Sequence, residues 1–172
     1  NFTNYRPISL LPCMSKILEK IVHKRLYFFL ATRDIFYASQ YGFRPSHSTT
    51  HAVTELAHSI LSSFESKNAT LATFLDLSKA FDTIDHDILL KKMAHYGVRS
   101  VALDWFKSYL GSRSYRVNVS GELSEIIALI CGVPQGSLLG PVLFLLYIEE
   151  LQDIARPYGL KIKLYADDSQ LY

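Results

Sequence analysis

The sequence is poor in the features that stabilise small secreted domains or anchor a chain in a membrane. Its 172 residues include only two cysteines, Cys13 and Cys131, which lie far apart and belong to no CxxC pair. This scarcity argues against a disulfide framework and a zinc knuckle, and it favours a reducing, intracellular setting. The longest apolar run, "LLGPVLFLLYI" at 138–148, is well short of the ~20 residues that a membrane-spanning helix needs, so it predicts a buried helix.

The chain also has little excess of either charge, with 18 Lys and Arg residues against 16 Asp and Glu residues. The formal net charge is +2, which is compatible with a nucleic-acid partner without requiring one. The hydrophobic share of 49% is enough for the core of one domain, or of a large part of one. Since the chain begins at Asn1 and ends in what reads as the middle of a hairpin, we expect it to be an internal piece of a longer protein.

Hydrophobic periodicity predicts helices and strands that do not alternate regularly. Helical spacing predicts helices at about 17–33, 53–64, 86–97, 100–111 and 142–154. Strand-like patterns predict a hairpin around Gly121, a final strand from Lys161, and a strand at 70–77 that is central because its apolar run is nearly continuous. This order favours an α+β fold with an antiparallel sheet.

Three aspartates stand out in this pattern. Asp76 ends the predicted strand at 70–77, while Asp167 and Asp168 lie side by side in an apolar run where burial is expected. Two acids close together must share a proton or pair with a cation. With Asp167 at a tight turn, we expect Asp76 and the aspartate pair to lie on adjacent strands of one sheet. Three such carboxylates can hold two Mg²⁺ ions roughly 3.5–4 Å apart, the arrangement that phosphoryl transfer uses. The alternative is a surface turn, in which paired aspartates are common.

Other acids have a simpler interpretation. Asp82, Asp85 and Asp87 precede a predicted helix, where they would act as caps and as negative charge at its N-terminus. This interpretation is preferred for Asp85 and Asp87.

Five blocks, in order, resemble those of reverse transcriptases of non-LTR (LINE-type) retrotransposons. They read "NYRPISLLP", "QYGFRPSHST", "FLDLSKAFDTIDH", "GVPQGSLLGPVLF" and "YADD", and together they extend over nearly the whole chain. The resemblance implies a polymerase palm, with an antiparallel sheet packed on helices, plus part of the fingers, truncated before the thumb. Residues 1–69 would belong to the fingers and residues 70–172 to the palm.

The resemblance also implies the catalytic residues. Asp76, Asp167 and Asp168 match the metal-binding acids, with Asp168 the less strictly needed of them, and Leu77 would lend a backbone carbonyl. Two Mg²⁺ ions are the implied cofactors, with Mn²⁺ as an alternative.

Further residues match positions that contact the nucleotide or the template. Phe81 matches the steric gate beneath the incoming sugar, although a core aromatic is the alternative. Gln135 and Gly136 match a loop that touches the incoming nucleotide and the template strand, and Arg6 matches an arginine that grips the triphosphate. Arg44 would either brace the fold or contact a template phosphate, and Lys16 is a further candidate for that contact.

The implied function is RNA-directed DNA synthesis in retrotransposition, with an RNA template, a DNA primer and dNTPs as partners and no membrane. The oligomeric state is left open, and the nucleus and cytoplasm are the expected locations. Ala166 and Phe81 argue against an RNA-dependent RNA polymerase, and no additional acid or histidine supports a metal-dependent nuclease. The remaining alternative is an inactive or domesticated remnant that acts at most as a nucleic-acid-binding module.

Overall fold

The computed structural model describes residues 8–172 of the protein. The helices in this part are α1 (Cys13–Ala31), α2 (Thr49–Glu65), α3 (His86–His95), α4 (Val101–Leu110), α5 (Gly140–Ile148) and α6 (Leu151–Ala155), followed by a 3₁₀ turn at Arg156–Tyr158. The strands are β1 (Thr73–Asp76), β2 (Ser114–Tyr115), β3 (Asn118–Val119), β4 (Glu122–Leu123), β5 (Ile127–Ala128), β6 (Ile162–Tyr165) and β7 (Asp168–Leu171).

The strands form antiparallel pairs. β1, β7 and β6 make a three-stranded sheet in the order β1-β7-β6, while β2 pairs with β5 and β3 pairs with β4. The two short pairs form the predicted hairpin around Gly121, and β6 is the predicted strand that starts near Lys161. The α+β class with an antiparallel sheet is therefore confirmed.

Two predicted elements differ from the structure. The strand predicted at 70–77 is only four residues long, and among the described residues it lies at an edge of the sheet with all four residues exposed. An apolar run indicates what a strand is able to bury, but it does not reveal which elements pack on it. The helix predicted at 142–154 is divided into α5 and α6, with Glu149 and Glu150 between them.

The buried helix α5 is the centre of the core. Apolar residues all around α5 are buried, so the helix has no polar face: Val142, Leu143, Phe144, Leu145, Leu146 and Ile148. α3 packs against both α4 and α5 and adds the fully buried Leu89 and Met93. Each fully buried side chain of this size contributes about 1.5–3 kcal/mol to folding. The apolar run at 138–148 is thus a core helix, as predicted.

Helix α2 is joined to the sheet by an ion pair. Lys163 of β6 is only 2% exposed at its side chain, and its Nζ lies 2.6 Å from Oε2 of Glu55 in α2. A buried ammonium group needs such a partner, because an unpaired buried charge is strongly destabilising. In residues 8–172, no helix combines the length and apolar character that crossing a membrane requires.

Glu149, which follows α5, is an acid in the core. It is 5% exposed, and burial raises the pKa of its carboxyl to about 7 from an ordinary value of 4.5. A backbone hydrogen bond from Tyr37 and the charges of Arg44 and Lys92 lower this pKa, whereas Asp153 raises it. Since the folded protein binds a proton that the unfolded chain releases, this group stabilises the fold below about pH 4.5, and that stabilisation is lost as pH rises to 7.

We expect Glu149→Gln to remove this pH dependence, because glutamine keeps the volume and cannot ionise. Relative to the unsubstituted protein, the variant should be more stable by about 3 kcal/mol at pH 8 and nearly equal to it at pH 4.5. Thermal unfolding at both pH values measures the difference. The exposed Glu125→Gln is the control, and a Glu149→Gln effect of equal size at both pH values would contradict the assignment.

Candidate active site

The β6–β7 hairpin carries two of the predicted aspartates at its turn. Tyr165 pairs with Asp168, so Ala166 and Asp167 are the two central residues of the turn. Ala166 is 6% exposed and has a φ of 56°, a left-handed conformation that suits a tight hairpin but is unfavourable for alanine. The predicted tight turn at Asp167 is confirmed, and its backbone is strained one residue before the acid.

Strand β1 places Asp76 directly opposite Asp168 in β7. Side chains at such positions lie on the same face, with Cβ atoms about 4.5–5.5 Å apart, and like charges there destabilise a sheet. The prediction that Asp76 and the aspartate pair lie on adjacent strands is confirmed. The acid opposite Asp76 is Asp168, however, while Asp167 lies in the adjoining turn.

The burial expected for the paired aspartates is wrong for Asp168, which is exposed, while Asp167 is half-buried. Asp76 is exposed as well. The apolar residues that suggested burial belong mainly to β6, where Ile162 and Leu164 are indeed buried. The acids instead lie where β6 turns into β7 and where the exposed strand β1 ends.

A groove of about 380 Å³ borders this pair of acids. Its walls are formed by β1, β7 and the N-terminal part of α2, and they include Thr49, Ala52, Phe74, Asp76, Tyr165 and Asp168. A groove of this size falls in the range of small-ligand sites.

The donor chemistry of the acids fits a hard divalent cation, because carboxylate oxygens are the ligands that Mg²⁺ prefers. Within residues 8–172, however, no three side chains of His, Cys, Asp or Glu are grouped so that they would hold a metal ion. The structure thus sets two of the predicted ligands opposite each other, and the complete set with Asp167 and the Leu77 carbonyl stays a prediction.

Phe81, five residues after Asp76, packs between two other rings. Its centroid lies 4.7 Å from that of Phe144 in the core and 5.9 Å from that of Phe43, which meets it edge-on. Its carbonyl accepts a hydrogen bond of 2.9 Å from Val133 N. The ring remains half-exposed, so the packing fits both a core aromatic and a steric gate.

The loop that contains Gln135 and Gly136 is bound to the segment after β1. Gln135 Nε2 donates to both carboxylate oxygens of Asp82, at 2.8 and 3.0 Å. Gly132 N donates to Ile84 O at 2.7 Å, which ties the same two segments through their backbones. Gly136 has a φ of 95°, where any other residue would be strained, so glycine is required by the loop conformation.

A buried acid of α1 holds the other end of this loop. Glu19 is 1% exposed; its Oε2 accepts a 2.7 Å hydrogen bond from Leu138 N, and its Oε1 accepts one of 3.1 Å from the Tyr109 hydroxyl. Burial, together with the charge of Glu19, raises the pKa of Tyr109 to about 12, so the phenol remains a donor at neutral pH. The loop is therefore fixed at both ends by carboxylates.

The three predicted cationic contacts have different outcomes. Arg44 Nη1 donates to Tyr37 O at 2.6 Å and to Gln40 O at 3.1 Å, which is the bracing role that the sequence left open. Lys16 is exposed on α1, so its contact with a template phosphate stays a prediction. Arg6 lies outside the described residues, so its contact with the triphosphate stays a prediction.

Sequence reasoning missed two functional neighbours of the loop. Asp85 caps α3 as predicted, since its side chain accepts from Ile88 N at 2.9 Å, but Asp82 binds Gln135 instead of a helix end. Glu19 was also missed, although a signal was present: it lies seven residues before Leu26 on the buried face of α1, where an acid needs a specific partner.

Comparisons with known proteins match nearly the whole chain. The family model described as "Reverse transcriptase (RNA-dependent DNA polymerase)" matches residues 1–172. In Drosophila melanogaster, the "Probable RNA-directed DNA polymerase from transposon BS" is 37% identical over 98% of this chain and 19% of its own length. The "RNA-directed DNA polymerase from mobile element jockey" is 36% identical over 86% of this chain and 16% of its own length. The chain thus spans about a fifth of the length of these relatives.

A solved structure shares the fold. Apo telomerase from Candida tropicalis, truncated from its C-terminal domain, superposes with a TM-score of 0.60 and 17% identity. The match includes 88% of this chain and 33% of the telomerase chain. At this identity the likeness shows the fold alone.

The contact between Asp82 and Gln135 makes a measurable prediction. In a double-mutant cycle on the free energy of unfolding, Asp82→Ala and Gln135→Ala should show a favourable coupling of about 1–2 kcal/mol, because the carboxylate accepts both bonds from one amide. As a control, Asp85→Ala and Gln135→Ala should be additive. Additivity of the Asp82 pair would mean that the contact contributes nothing.

Proposed function

The chain belongs to the reverse transcriptase family, and we propose that it carries the nucleotidyl-transfer site of an RNA-directed DNA polymerase. In this proposal the protein extends a DNA primer with dNTPs on an RNA template. The relatives named as polymerases of a transposon and of a mobile element support a role in retrotransposition.

One observation carries the proposal. Asp76 and Asp168 occupy directly opposite positions on adjacent strands, where two negative charges destabilise the sheet unless a cation compensates them. The repulsion between these two carboxylates lowers the stability of the sheet at the edge that borders the groove. A cation-dependent reaction at the edge accounts for this arrangement, whereas a purely structural role does not.

The proposed ligands of two Mg²⁺ ions, or of Mn²⁺ in their place, are Asp76, Asp167, Asp168 and the carbonyl of Leu77. When bound, the ions would activate the primer hydroxyl and stabilise the charge that develops on the leaving pyrophosphate. The chain's own contribution is positioning: the β1–β7 pairing sets Asp76 opposite Asp168, and the tight β6–β7 turn, which contains Asp167, would bring the third carboxylate to them.

Neighbouring residues would bind the nucleotide. Phe81 is proposed to exclude a 2′-hydroxyl. Its packing against the core ring of Phe144 would prevent the Phe81 ring from moving aside. Gln135, with its amide nitrogen held by Asp82, would present its side-chain carbonyl oxygen and the adjoining Gly136 backbone to the nucleotide or the template. Arg6 is proposed to bind the triphosphate.

Other assignments complete the proposal. Lys16, and with less support Arg44, would contact template phosphates. Residues 1–69 would form part of the fingers and residues 70–172 part of the palm. The nucleus and cytoplasm are the proposed locations.

Removing the charge of either opposed acid should reduce synthesis, and Asp76 should show the larger loss. In the full-length protein, we expect Asp76→Asn to reduce primer extension by about a hundredfold or more, because several kcal/mol of transition-state stabilisation depend on the cation site, and Asp168→Asn, at the less strictly needed acid, to reduce it by less. Extension of a primed RNA with dNTPs and Mg²⁺ is measured. Asp85→Asn, at a helix cap, is the matched control.

Near-normal extension by Asp76→Asn and Asp168→Asn would refute the proposed site. No extension by the unsubstituted protein, with binding of the primed RNA retained, would favour a remnant that acts as a nucleic-acid-binding module.

The steric gate gives a separate prediction. Phe81→Val removes the ring without touching the acids, so we expect the preference for dNTPs over rNTPs to fall about tenfold or more while dNTP use falls less. The ratio of incorporation efficiencies is measured. The exposed Phe64→Val in α2 is the control, and an unchanged ratio in Phe81→Val would leave Phe81 as a core residue.

A further inference from the structure

A short segment between α1 and α2 runs beside the hairpin that carries the aspartates. Tyr41 N donates to Leu164 O at 2.8 Å, and Leu164 N donates to Ser39 O at 2.9 Å, so the segment pairs in parallel with β6. The edge of β6 that is not paired with β7 is covered in this way. We name residues 39–42 the strut.

The side chain of Gln40 connects the strut to the turn. Its Oε1 accepts hydrogen bonds from Gly42 N at 2.7 Å and from Ala166 N at 3.1 Å. Gln40 is 1% exposed, so both bonds are shielded from water. One oxygen atom therefore satisfies a backbone donor in the strut and a backbone donor of the central turn residue that precedes Asp167.

The geometry around this oxygen leaves little freedom. A Cβ on Gly42 would overlap the backbone nitrogen of Ala166, so only glycine lets the strut approach the turn this closely. Ala166 is held at a φ of 56°, which alanine avoids unless its surroundings impose it. The hydrogen bond from Ala166 N to Gln40 Oε1 is a contact that can hold Ala166 in this conformation.

A buried glutamine at position 40 has an energetic cost that a residue serving only to fill the core would not have. Its Nε2 is buried and has no hydrogen-bond partner among the described residues. Buried polar atoms of this kind are rare and destabilising. An apolar side chain of the same length would remove this donor, but it would leave the Gly42 and Ala166 N–H groups without an acceptor. The glutamine is therefore explained by the hydrogen bonds that Oε1 accepts from the strut and the turn.

The strut also reaches other proposed parts of the site. Phe43, the next residue, meets the Phe81 ring edge-on, and Arg44 Nη1 donates to Gln40 O at 3.1 Å. Any displacement of the strut would thus affect both the turn and the proposed sugar gate.

We propose that Gln40 is a positioning residue for the acidic site: its Oε1 holds the Ala166–Asp167 turn in the conformation that presents Asp167 and Asp168 to divalent cations. This inference rests on the proposed function, since it assumes that these acids bind cations. Gln40 itself touches neither cation nor substrate.

The test measures Mn²⁺ binding directly, by the electron paramagnetic resonance signal of free Mn²⁺ titrated with the full-length protein. Gln40→Met keeps the side-chain length and removes the acceptor. We expect its Mn²⁺ dissociation constant at the site to rise about tenfold and its thermal stability to fall, because the buried Gly42 and Ala166 N–H groups lose their acceptor. Gln152→Met, a half-buried glutamine of α6, is the matched control and should bind Mn²⁺ as the unsubstituted protein does.

Rescue separates positioning from packing. Glycine adopts positive φ readily, so adding Ala166→Gly to Gln40→Met should restore the Mn²⁺ dissociation constant to within about threefold of the original. If Gln40→Met alone does not fold, the double variant becomes the deciding measurement. Unaltered Mn²⁺ affinity in folded Gln40→Met, or a double variant that is unfolded or not rescued, would overturn the inference.

A further variant keeps the two proposals distinguishable. Asp76→Asn combined with Asp168→Asn should lose the Mn²⁺ site. If that variant binds Mn²⁺ as tightly as the original, the proposed function fails. If it loses Mn²⁺ while Gln40→Met does not, only the role of Gln40 fails.

Discussion

The antiparallel pairing of β1 with β7 is the constraint on which the site depends. It sets Asp76 opposite Asp168, and a shift of one residue in register would turn one of these carboxylates to the other face of the sheet. The pairing places like charges together at an exposed edge, where solvent screens them only in part. The same edge borders the groove between the sheet and α2, so the charge and the space for a ligand occur at one place.

Around this pairing, the chain fixes its loops with side-chain carboxylates and amides. Asp82 holds the amide of Gln135, Glu19 holds the backbone of Leu138, and Gln40 holds the turn at Ala166. Each contact joins a segment next to the site to an element far away in the sequence. The buried helix α5 supplies the rigid support, since its apolar residues fill the core on which these segments rest.

The elements that were predicted correctly are those determined by patterns within a short stretch of the sequence. Helical spacing located α1 to α4 and the start of α5, and the cap at Asp85 follows from its position before α3. The exposed edge position of β1 was not predictable, because it depends on what packs against a strand and not on the strand itself. The contact between Gln40 and Ala166 spans 126 residues, and no local pattern encodes a bond over that separation. The motif blocks named Asp76 and Asp168, which the structure sets opposite each other, while a meeting of Asp167 with them stays a prediction.

The central claim is that the opposed acids form a cation site. Anomalous X-ray scattering from crystals of the full-length protein, grown with a primed RNA template, a dNTP and Mn²⁺, locates the cations without reference to activity. The account predicts anomalous density within coordination distance of the Asp76 and Asp168 carboxylates. Density at other sites only, in a complex where the template and the nucleotide are bound, would contradict it.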